Sequence, residues 1–306
     1  METKAIEILN LEKVYSDQKA LDGISFDVEE NEIFGLVGPD GAGKTTTIRI
    51  LCGLINPTSG SAKILEYQLV KDKKYIKSQI GYLSQKFSLY TDLTVDENIS
   101  FISKIHGVKD FKKRRDELLE FMRLTSFRGF LAGRLSGGMK QKLALACALI
   151  HRPKILFLDE TTTGVDPVSR RDFWKILTEL LNENLTIVIS TPYLDEAERF
   201  DTIVMLNQGK VLKYGSPSEI KSELHNPILQ IVCPQVRNAT DIIRKNTQFE
   251  VQMFGDRLDI VLNNYDTDYP LIKDLLETNS IPVVDHRLKP VSLENIFIKI
   301  LKEQKV

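Results

Sequence analysis

Cysteines, long apolar runs and an excess of charge of one sign are all scarce in this sequence. The three cysteines, Cys52, Cys147 and Cys233, lie far apart, and none has a second cysteine or a histidine at metal-ligand spacing. The most apolar run, Leu143–Ile150, is much shorter than the roughly 18–20 residues that cross a bilayer. These absences argue against a disulfide framework, a cysteine-based metal site and a membrane-spanning chain.

The charge balance and the N-terminal residues narrow the class of protein further. A formal net charge of −1 gives no electrostatic reason to expect a nucleic-acid partner. The opening residues Met-Glu-Thr-Lys-Ala lack the apolar character of a secretory leader. With 42% hydrophobic and 27% charged residues, the 306-residue chain has the composition of a globular protein. We therefore expect a soluble, reduced, cytosolic chain that holds one large α/β domain and a small one, or two ordinary domains.

The most informative stretch is Gly38–Thr46, which reads Gly-Pro-Asp-Gly-Ala-Gly-Lys-Thr-Thr. An apolar run typical of a buried strand precedes it, and residues 47–54 carry apolar side chains at helical spacing. This order predicts a phosphate-binding loop, because backbone N–H groups of the turn and the helix N-terminus converge on one anion. The alternative is an ordinary glycine turn before a helix. The residues predicted to bind the nucleotide here are Gly38, Pro39, Asp40, Gly41, Ala42, Gly43, Lys44, Thr45 and Thr46.

Four side chains are predicted to carry the chemistry. We expect Lys44 to reach the β- and γ-phosphates and to act in catalysis, and the Thr45 hydroxyl to help hold Mg²⁺. The apolar run Ile155–Leu158 ends in Asp159 and Glu160, and ligands of a phosphate-loop protein gather at the carboxyl ends of its strands. Asp159 can hold Mg²⁺ through water, and Glu160 can orient or deprotonate an attacking water. The alternative is two solvated acids that open a loop.

The hydrophobic pattern predicts an α/β first domain, residues 1–220. Alternation of apolar and polar residues over 4–32 predicts antiparallel strands, and residues 92–131 favour helices. Strands that alternate with helices over the rest of this domain predict a parallel sheet covered on both faces.

A second, smaller domain is predicted for residues 226–306. The chain has turn signals at Ser216–Pro217 and again at His225–Pro227. Beyond them the predicted order is strand, helix, strand, strand, helix and strand, the last strand covering Ile281–Asp285. This is the split pattern of a ferredoxin-like α+β domain, and a closing helix follows it.

The segment Leu135–Gln141 predicts a second anion-binding helix N-terminus. Its Ser136 hydroxyl and its two glycines, Gly137 and Gly138, precede a helix. One nucleotide needs only one such loop, so we expect this segment to contact the γ-phosphate of a nucleotide held by another copy. The alternative is a capped helix after a flexible turn.

Together these motifs resemble those of ABC-transporter ATPases. Leu135–Gln141 resembles the signature motif, Gly38–Thr45 the Walker A loop, Ile155–Asp159 the Walker B strand, and Glu160 the catalytic glutamate. Residues 4 to about 220 carry the resemblance. The remainder is similar to the accessory C-terminal domain of some drug-exporter ATPases.

Three further assignments follow from the resemblance alone. Gln85, after Tyr-Leu-Ser, matches the Q-loop glutamine that contacts Mg²⁺ and the γ-phosphate. Thr163–Asp166 resembles the D-loop. Tyr15 matches the aromatic residue that stacks on adenine, although it also suits a half-buried strand position.

The resemblance implies a P-loop NTPase fold with a RecA-like parallel sheet, an antiparallel β subdomain and a helical subdomain. It implies ATP and Mg²⁺ as ligands, an integral-membrane permease and a second ATP-binding subunit as partners, and a place on the cytoplasmic face of the membrane. The docking surface is expected at residues 86–130, and the drug-exporter character implies export of a hydrophobic or drug-like substrate. A non-transport ABC ATPase of DNA repair or translation is the first alternative.

Two positions depart from the family pattern. Pro192 stands where the family usually has a histidine that contacts the γ-phosphate, and proline offers neither a side-chain donor nor an N–H. Thr161 replaces the proline that commonly follows the catalytic glutamate. Loss of one transition-state donor costs about 10²–10³ in rate, so hydrolysis is slow here or a homologous partner supplies an intact site. A weakly hydrolysing regulatory subunit is therefore the second alternative.

Overall fold

The computed structural model of the protein describes residues 3–85, 89–224 and 226–303. Residues 86–88, which belong to the predicted docking surface, and His225, from the predicted domain junction, lie outside the described residues. The chain divides into two compact units, Met1–Pro217 and Ser218–Val306. Among the described residues, no helix is long and apolar enough to cross a membrane.

Strands and helices alternate along most of the chain. The strands are β1 (Lys4–Tyr15), β2 (Gln18–Glu29), β3 (Ile33–Val37), β4 (Ser59–Ile64), β5 (Tyr67–Gln68), β6 (Ile80–Leu83), β7 (Ile155–Asp159), β8 (Thr186–Thr191), β9 (Thr202–Asn207), β10 (Lys210–Gly215), β11 (Ile228–Val232), β12 (Glu250–Phe254), β13 (Arg257–Val261) and β14 (Asp285–Lys289). The helices are α1 (Lys44–Leu51), α2 (Lys73–Gln79), α3 (Val95–Ile105), α4 (Phe111–Phe121), α5 (Gly137–Leu149), α6 (Pro167–Leu181), α7 (Leu194–Ala197), α8 (Pro217–Ser222), α9 (Val236–Asn246), α10 (Tyr265–Thr278) and α11 (Leu293–Glu303).

The first unit is built around a six-stranded sheet in the order β10-β9-β3-β8-β7-β6. Strands β9, β3, β8, β7 and β6 run parallel, and β10 pairs antiparallel to β9 through a tight turn at Gln208–Gly209. Every residue of β3, β7 and β8 is buried, as expected of strands covered on both faces. The predicted parallel sheet is therefore confirmed. Its geometry places the carboxyl ends of β3, β7 and β8 side by side at one edge.

A second sheet in this unit is antiparallel, in the order β2-β1-β4-β5, which confirms the predicted antiparallel strands. Its buried side chains share one hydrophobic core with the parallel sheet. Phe26 of β2 stacks on Phe34 of β3 at 5.3 Å between ring centroids. Gly35 is required in β3 for steric reasons, because a Cβ there would lie 2.1 Å from the Phe200 ring. The two sheets therefore hold β3, and the turn that follows it, in a fixed position.

Helices α3, α4 and α5 follow β6 and precede β7 in the sequence, and they pack against one another. Thr94 begins α3 with a capping box: its hydroxyl accepts from the Glu97 N–H, and the Glu97 carboxylate accepts from the Thr94 N–H. Ser136 begins α5 in a similar way, since its Oγ accepts from the Met139 N–H at 3.3 Å. The start of α5 is thus fixed by its own sequence.

The second unit contains a four-stranded antiparallel sheet in the order β12-β13-β11-β14. Helices α9 and α10 cover one face of it with a separate hydrophobic core. The last strand differs from the prediction, because β14 spans Asp285–Lys289 rather than Ile281–Asp285. Pro282 has no N–H to donate to a ladder, so the strand begins only after it.

Candidate functional site

The turn between β3 and α1 lines a cavity of about 740 Å³. Two glycines make the turn possible at points of close approach. A Cβ on Gly38 would lie 2.2 Å from the Leu206 carbonyl oxygen, and Gly43 has φ 106° with the Ala20 carbonyl 2.8 Å from where its Cβ would be. Within the part of the chain that the structure describes, no side chain caps the N-terminus of α1, so its first N–H groups face a position suited to an anion.

Lys44 is the buried cation of this cavity, with 3% of its surface exposed. Its Nζ donates to the carbonyl oxygens of Gly38 at 2.8 Å and Pro39 at 3.0 Å. The third neighbour of this Nζ is Glu160 Oε1, at 3.1 Å. A lysine whose ammonium is held at the loop in this way is suited to bind phosphate oxygens as a point charge.

Thr45 and Asp159 form the site predicted for Mg²⁺. The Thr45 Oγ1 donates to Asp159 Oδ1 at 2.9 Å, and the Ser190 hydroxyl donates to the same oxygen at 2.7 Å. A hydroxyl beside a buried carboxylate fits Mg²⁺, which takes oxygen ligands and completes its shell with water and substrate phosphates. The described residues contain no cluster of three or more His, Cys, Asp or Glu side chains that could hold a metal by themselves. The donor set therefore fits an ion shared with a nucleotide.

Glu160 lies next to this pair with its backbone in an uncommon conformation, φ 50°. Its N–H lies 3.1 Å from the Ser190 carbonyl oxygen and 3.0 Å from the Ser190 hydroxyl oxygen. Its side chain lies between Lys44 on one oxygen and Gln85 on the other, where Gln85 Nε2 donates to Oε2 at 3.0 Å. The carboxylate is thus oriented from both sides while the residue still lines the cavity.

Tyr15 and Pro192 line the same cavity. The Tyr15 side chain is 46% exposed, and the Lys13 ammonium lies 4.9 Å from the centre of its ring. Pro192 follows the end of β8 directly, beside Tyr193, and it presents no hydrogen-bond donor to the cavity. One cavity is therefore lined by Tyr15, which is predicted to stack on adenine, by the phosphate-binding loop, and by Pro192.

The segment that resembles the signature motif lies outside this cavity. Among the residues that line the described cavity, none belongs to Ser136–Gly138. Gly138 packs closely against α6, since a Cβ there would lie 2.5 Å from the Ser169 hydroxyl. A Cβ on Gly137 would meet no atom of the described residues within 4 Å. An open helix N-terminus outside the cavity is the arrangement expected if it serves a second copy.

The sequence predicts neither the contacts that Ser190 makes at this site nor the one that Gln141 makes. Ser190 holds both Asp159 and Glu160, and Gln141 of α5 donates through Nε2 to the carbonyl oxygen of Thr161. Asp159 and Ser190 are direct partners across the β7–β8 ladder. A polar residue at the end of a buried strand was the only available signal for Ser190.

A model of the ABC transporter family matches residues 21–163. The chain is 41% identical over 223 residues to the probable multidrug ABC transporter ATP-binding protein YbhF of Escherichia coli (strain K12). That match covers 72% of this chain and 39% of the relative, so the chain spans well under half of that protein's length.

Two further comparisons cover more of the matched protein. The chain is 33% identical over 307 residues to the Nod factor export ATP-binding protein I of Burkholderia orbicola (strain AU 1054), with 98% of both chains covered. A solved structure of the ATP binding subunit of an ABC transporter matches with a TM-score of 0.65 and 30% identity. It covers 72% of this chain and 92% of that one.

Proposed function

The chain belongs to the ABC transporter ATP-binding proteins, and from that membership we propose that it hydrolyses ATP to power export through a separate membrane protein. The observation that best supports hydrolysis is that distant parts of the sequence bring Lys44, Gln85 and Glu160 together at one cavity. Thr45 lines the same cavity and holds Asp159 beside it. Each of these side chains offers a group that phosphoryl transfer to water needs.

The roles divide as follows. The backbone of Gly38–Thr46 and the Lys44 ammonium bind the β- and γ-phosphates, and Tyr15 stacks on the adenine. Thr45, Asp159 and Gln85 would hold Mg²⁺, which neutralises phosphate charge when bound. Glu160 orients the attacking water and accepts its proton, and its two fixed oxygens preorganise that step.

In a pair of ATP-binding subunits, each subunit contributes its phosphate loop to one nucleotide site and its Ser136–Gly138 segment to the other. Ser136–Gly138 lies outside its own cavity, so we assign it to the γ-phosphate of a nucleotide bound at Lys44 of a second ATP-binding subunit. ATP then favours the closed pair and hydrolysis reopens it, and a membrane partner converts this switch to transport. The second subunit is either a second copy or a homologous chain.

Export is supported by the names of the relatives, a probable multidrug transporter subunit and a Nod factor export subunit. We propose a hydrophobic or drug-like substrate and a permease that docks near residues 86–130. The chain would act at the cytoplasmic face of the inner or plasma membrane.

We assign residues 1–220 to the ATP-binding domain, with α3, α4 and α5 as its helical subdomain. Residues 226–306 form an accessory domain. The strand order β12-β13-β11-β14 supports a ferredoxin-like fold for it, because such domains place the first and third strands at the centre of the sheet.

One observation favours a second candidate function, a regulatory subunit that binds nucleotide and barely hydrolyses it. Pro192 lines the cavity and donates no hydrogen bond there, where a histidine donor would stabilise transition-state charge.

The two candidates are separated by two variants in one assay of ATP turnover and nucleotide binding. Glu160→Gln keeps the shape of the side chain and removes the base, so we expect turnover to fall about 10²–10³-fold with binding retained. Lys44→Ala is expected to lose binding itself. If Glu160→Gln leaves a wild-type rate while Lys44→Ala abolishes binding, the regulatory function is the correct one.

A further inference from the structure

Glu196 is a buried carboxylate without a place in the chemistry above. It lies on α7, only 2% exposed, behind the two loops that follow β7 and β8. The first loop begins with Glu160, and the second contains Pro192 and Tyr193, which line the cavity. A charged group is costly to bury, so its partners indicate what it does there.

One oxygen of Glu196 joins the two loops. Oε2 accepts a hydrogen bond from Thr191 Oγ1 at 2.7 Å and another from Thr162 Oγ1 at 3.0 Å. Thr162 is two residues beyond Glu160, and Thr191 is the residue directly before Pro192. Both threonines are buried, so neither hydroxyl has water as a ready substitute.

The other oxygen of Glu196 faces a cation from α6. Arg170 Nε lies 3.7 Å from Oε1, and each of these two buried atoms has no hydrogen-bond partner among the described residues. The Arg170 guanidinium also lies 5.3 Å from the centre of the Tyr193 ring. Arg170 is four residues beyond Asp166, the N-cap of α6.

The contacts of Glu196 therefore fall on both ends of the segment that leads from Glu160 to α6. Thr162 lies near its beginning, and Arg170 lies one turn past its end. Burial raises the pKa of the Glu196 carboxyl, while Thr191, Thr162 and Arg170 act in the opposite direction. A carboxylate with few compensating contacts stays ionised only while those contacts hold.

We propose that Glu196 is a positioning residue for ATP hydrolysis, which fixes the loop after Glu160 against the loop that carries Pro192 and uses Arg170 as its charge partner. This proposal rests on the proposed hydrolytic function. Glu196 is not among the residues that line the cavity, so it acts on the chemical step and leaves the affinity for ATP unchanged.

The first variants distinguish the effect of the Glu196 charge from the effect of its side-chain shape. Glu196→Gln keeps an oxygen that accepts from both threonines but removes the charge toward Arg170. We expect kcat to fall about 10-fold, with KM for ATP and the melting temperature close to wild type. Arg170→Gln is expected to give the same loss, and the double variant is expected to be no slower than either single variant, because both remove one interaction. Asp195→Asn, an exposed acid on the same helix, is the control and is expected to be unchanged.

A second pair of variants tests the loop contact without altering charge. Thr162→Val removes the hydroxyl, and Thr162→Ser keeps it. We expect Thr162→Val to lower kcat about 3–10-fold and Thr162→Ser to restore at least half of that loss. A rate loss that appears only in proportion to lost folded protein, or a Glu196→Gln variant with wild-type kcat, would overturn the proposal.

The same assay distinguishes this failure from failure of the proposed function. If the wild type turns ATP over, Glu160→Gln does not, and Glu196→Gln equals the wild type, the positioning role alone is wrong. If Glu160→Gln is as active as the wild type, the hydrolytic function itself is wrong.

Discussion

Lys44 and Glu160 form an ion pair inside the cavity, with 3.1 Å between Nζ and Oε1. The ammonium is 3% exposed, and its remaining contacts are two backbone carbonyls of the phosphate loop. The group assigned to phosphate binding and the group assigned to proton transfer are therefore in direct contact. A phosphate that binds Lys44 competes with a carboxylate for the same ammonium.

This competition predicts that Glu160→Gln binds nucleotide more tightly than the wild type. The substitution removes a rival anion and its repulsion of phosphate, so we expect a Kd about 3–10-fold lower. Calorimetry with one non-hydrolysable ATP analogue for both proteins measures this without interference from turnover. Asp195→Asn, which removes one negative charge outside the cavity, is the matched control and is expected to bind as the wild type does. Equal or weaker binding by Glu160→Gln would show that the ion pair does not oppose the nucleotide.

The Thr45–Asp159 contact predicts a specific magnesium defect. Thr45→Val keeps the side-chain volume and removes the hydroxyl, so we expect the Mg²⁺ concentration for half-maximal turnover to rise about 10-fold. Thr45→Ser retains the hydroxyl and is expected to stay within about two-fold of the wild type. The measurement is a Mg²⁺ titration of ATP turnover at saturating ATP. An unchanged Mg²⁺ requirement in Thr45→Val would remove this residue from the metal site.

Pro192→His is predicted to increase ATP turnover. A histidine at this position of the cavity restores a side-chain donor, and we expect a gain of about 10-fold in kcat. Pro192→Ala separates the new donor from the loss of proline rigidity, and it is expected to show no such gain. If Pro192→His leaves the rate unchanged at full nucleotide occupancy, the missing donor is supplied by another group.

His151 predicts a pH dependence of stability that is separate from catalysis. Its Nε2 donates to the Ile80 carbonyl oxygen at 2.9 Å, and its ring stacks on His106 at 3.9 Å. Burial, together with the nearby His106, lowers the pKa of His151 to about 4. In the unfolded chain this histidine has a pKa of about 6.5, so the unfolded state binds more protons between about pH 4 and this value. Stability therefore falls as the pH decreases through this window.

The variant His151→Gln keeps a donor for Ile80 and removes the titration. We expect the wild type to lose about 1–2 kcal/mol more than His151→Gln between pH 7.5 and pH 5, allowing for partial exposure of the ring. Urea unfolding at both pH values measures the difference. Equal losses in the two proteins would exclude His151 as the cause.

The sequence predicts those parts of the site that depend only on residues close together in the chain. The phosphate loop, the acids after β7 and the cap of α5 each depend on neighbouring residues, and their positions could be read from short patterns. Ser190 and Glu196 could not be identified in this way, because their roles come from strand pairing and packing between distant segments. The start of β14 was misplaced for a similar reason, since a ladder, rather than apolar composition, decides where a strand begins.

The central claim is that each active site is made by two chains, and mixing two defective variants tests it most directly. Lys44→Ala has a damaged phosphate loop. Gly137→Asp places a negative charge at the open start of α5, where a Cβ meets nothing within 4 Å among the described residues of its own chain. Each variant alone is expected to be inactive, because every site in its dimers lacks one half.

An equimolar mixture forms mixed dimers in which one of the two sites combines two undamaged halves. Random pairing then predicts ATP turnover of about a quarter of the wild-type rate. Turnover of the mixture that stays at the level of the separate variants, while cross-linking shows that mixed dimers have formed, would contradict a site shared between two chains.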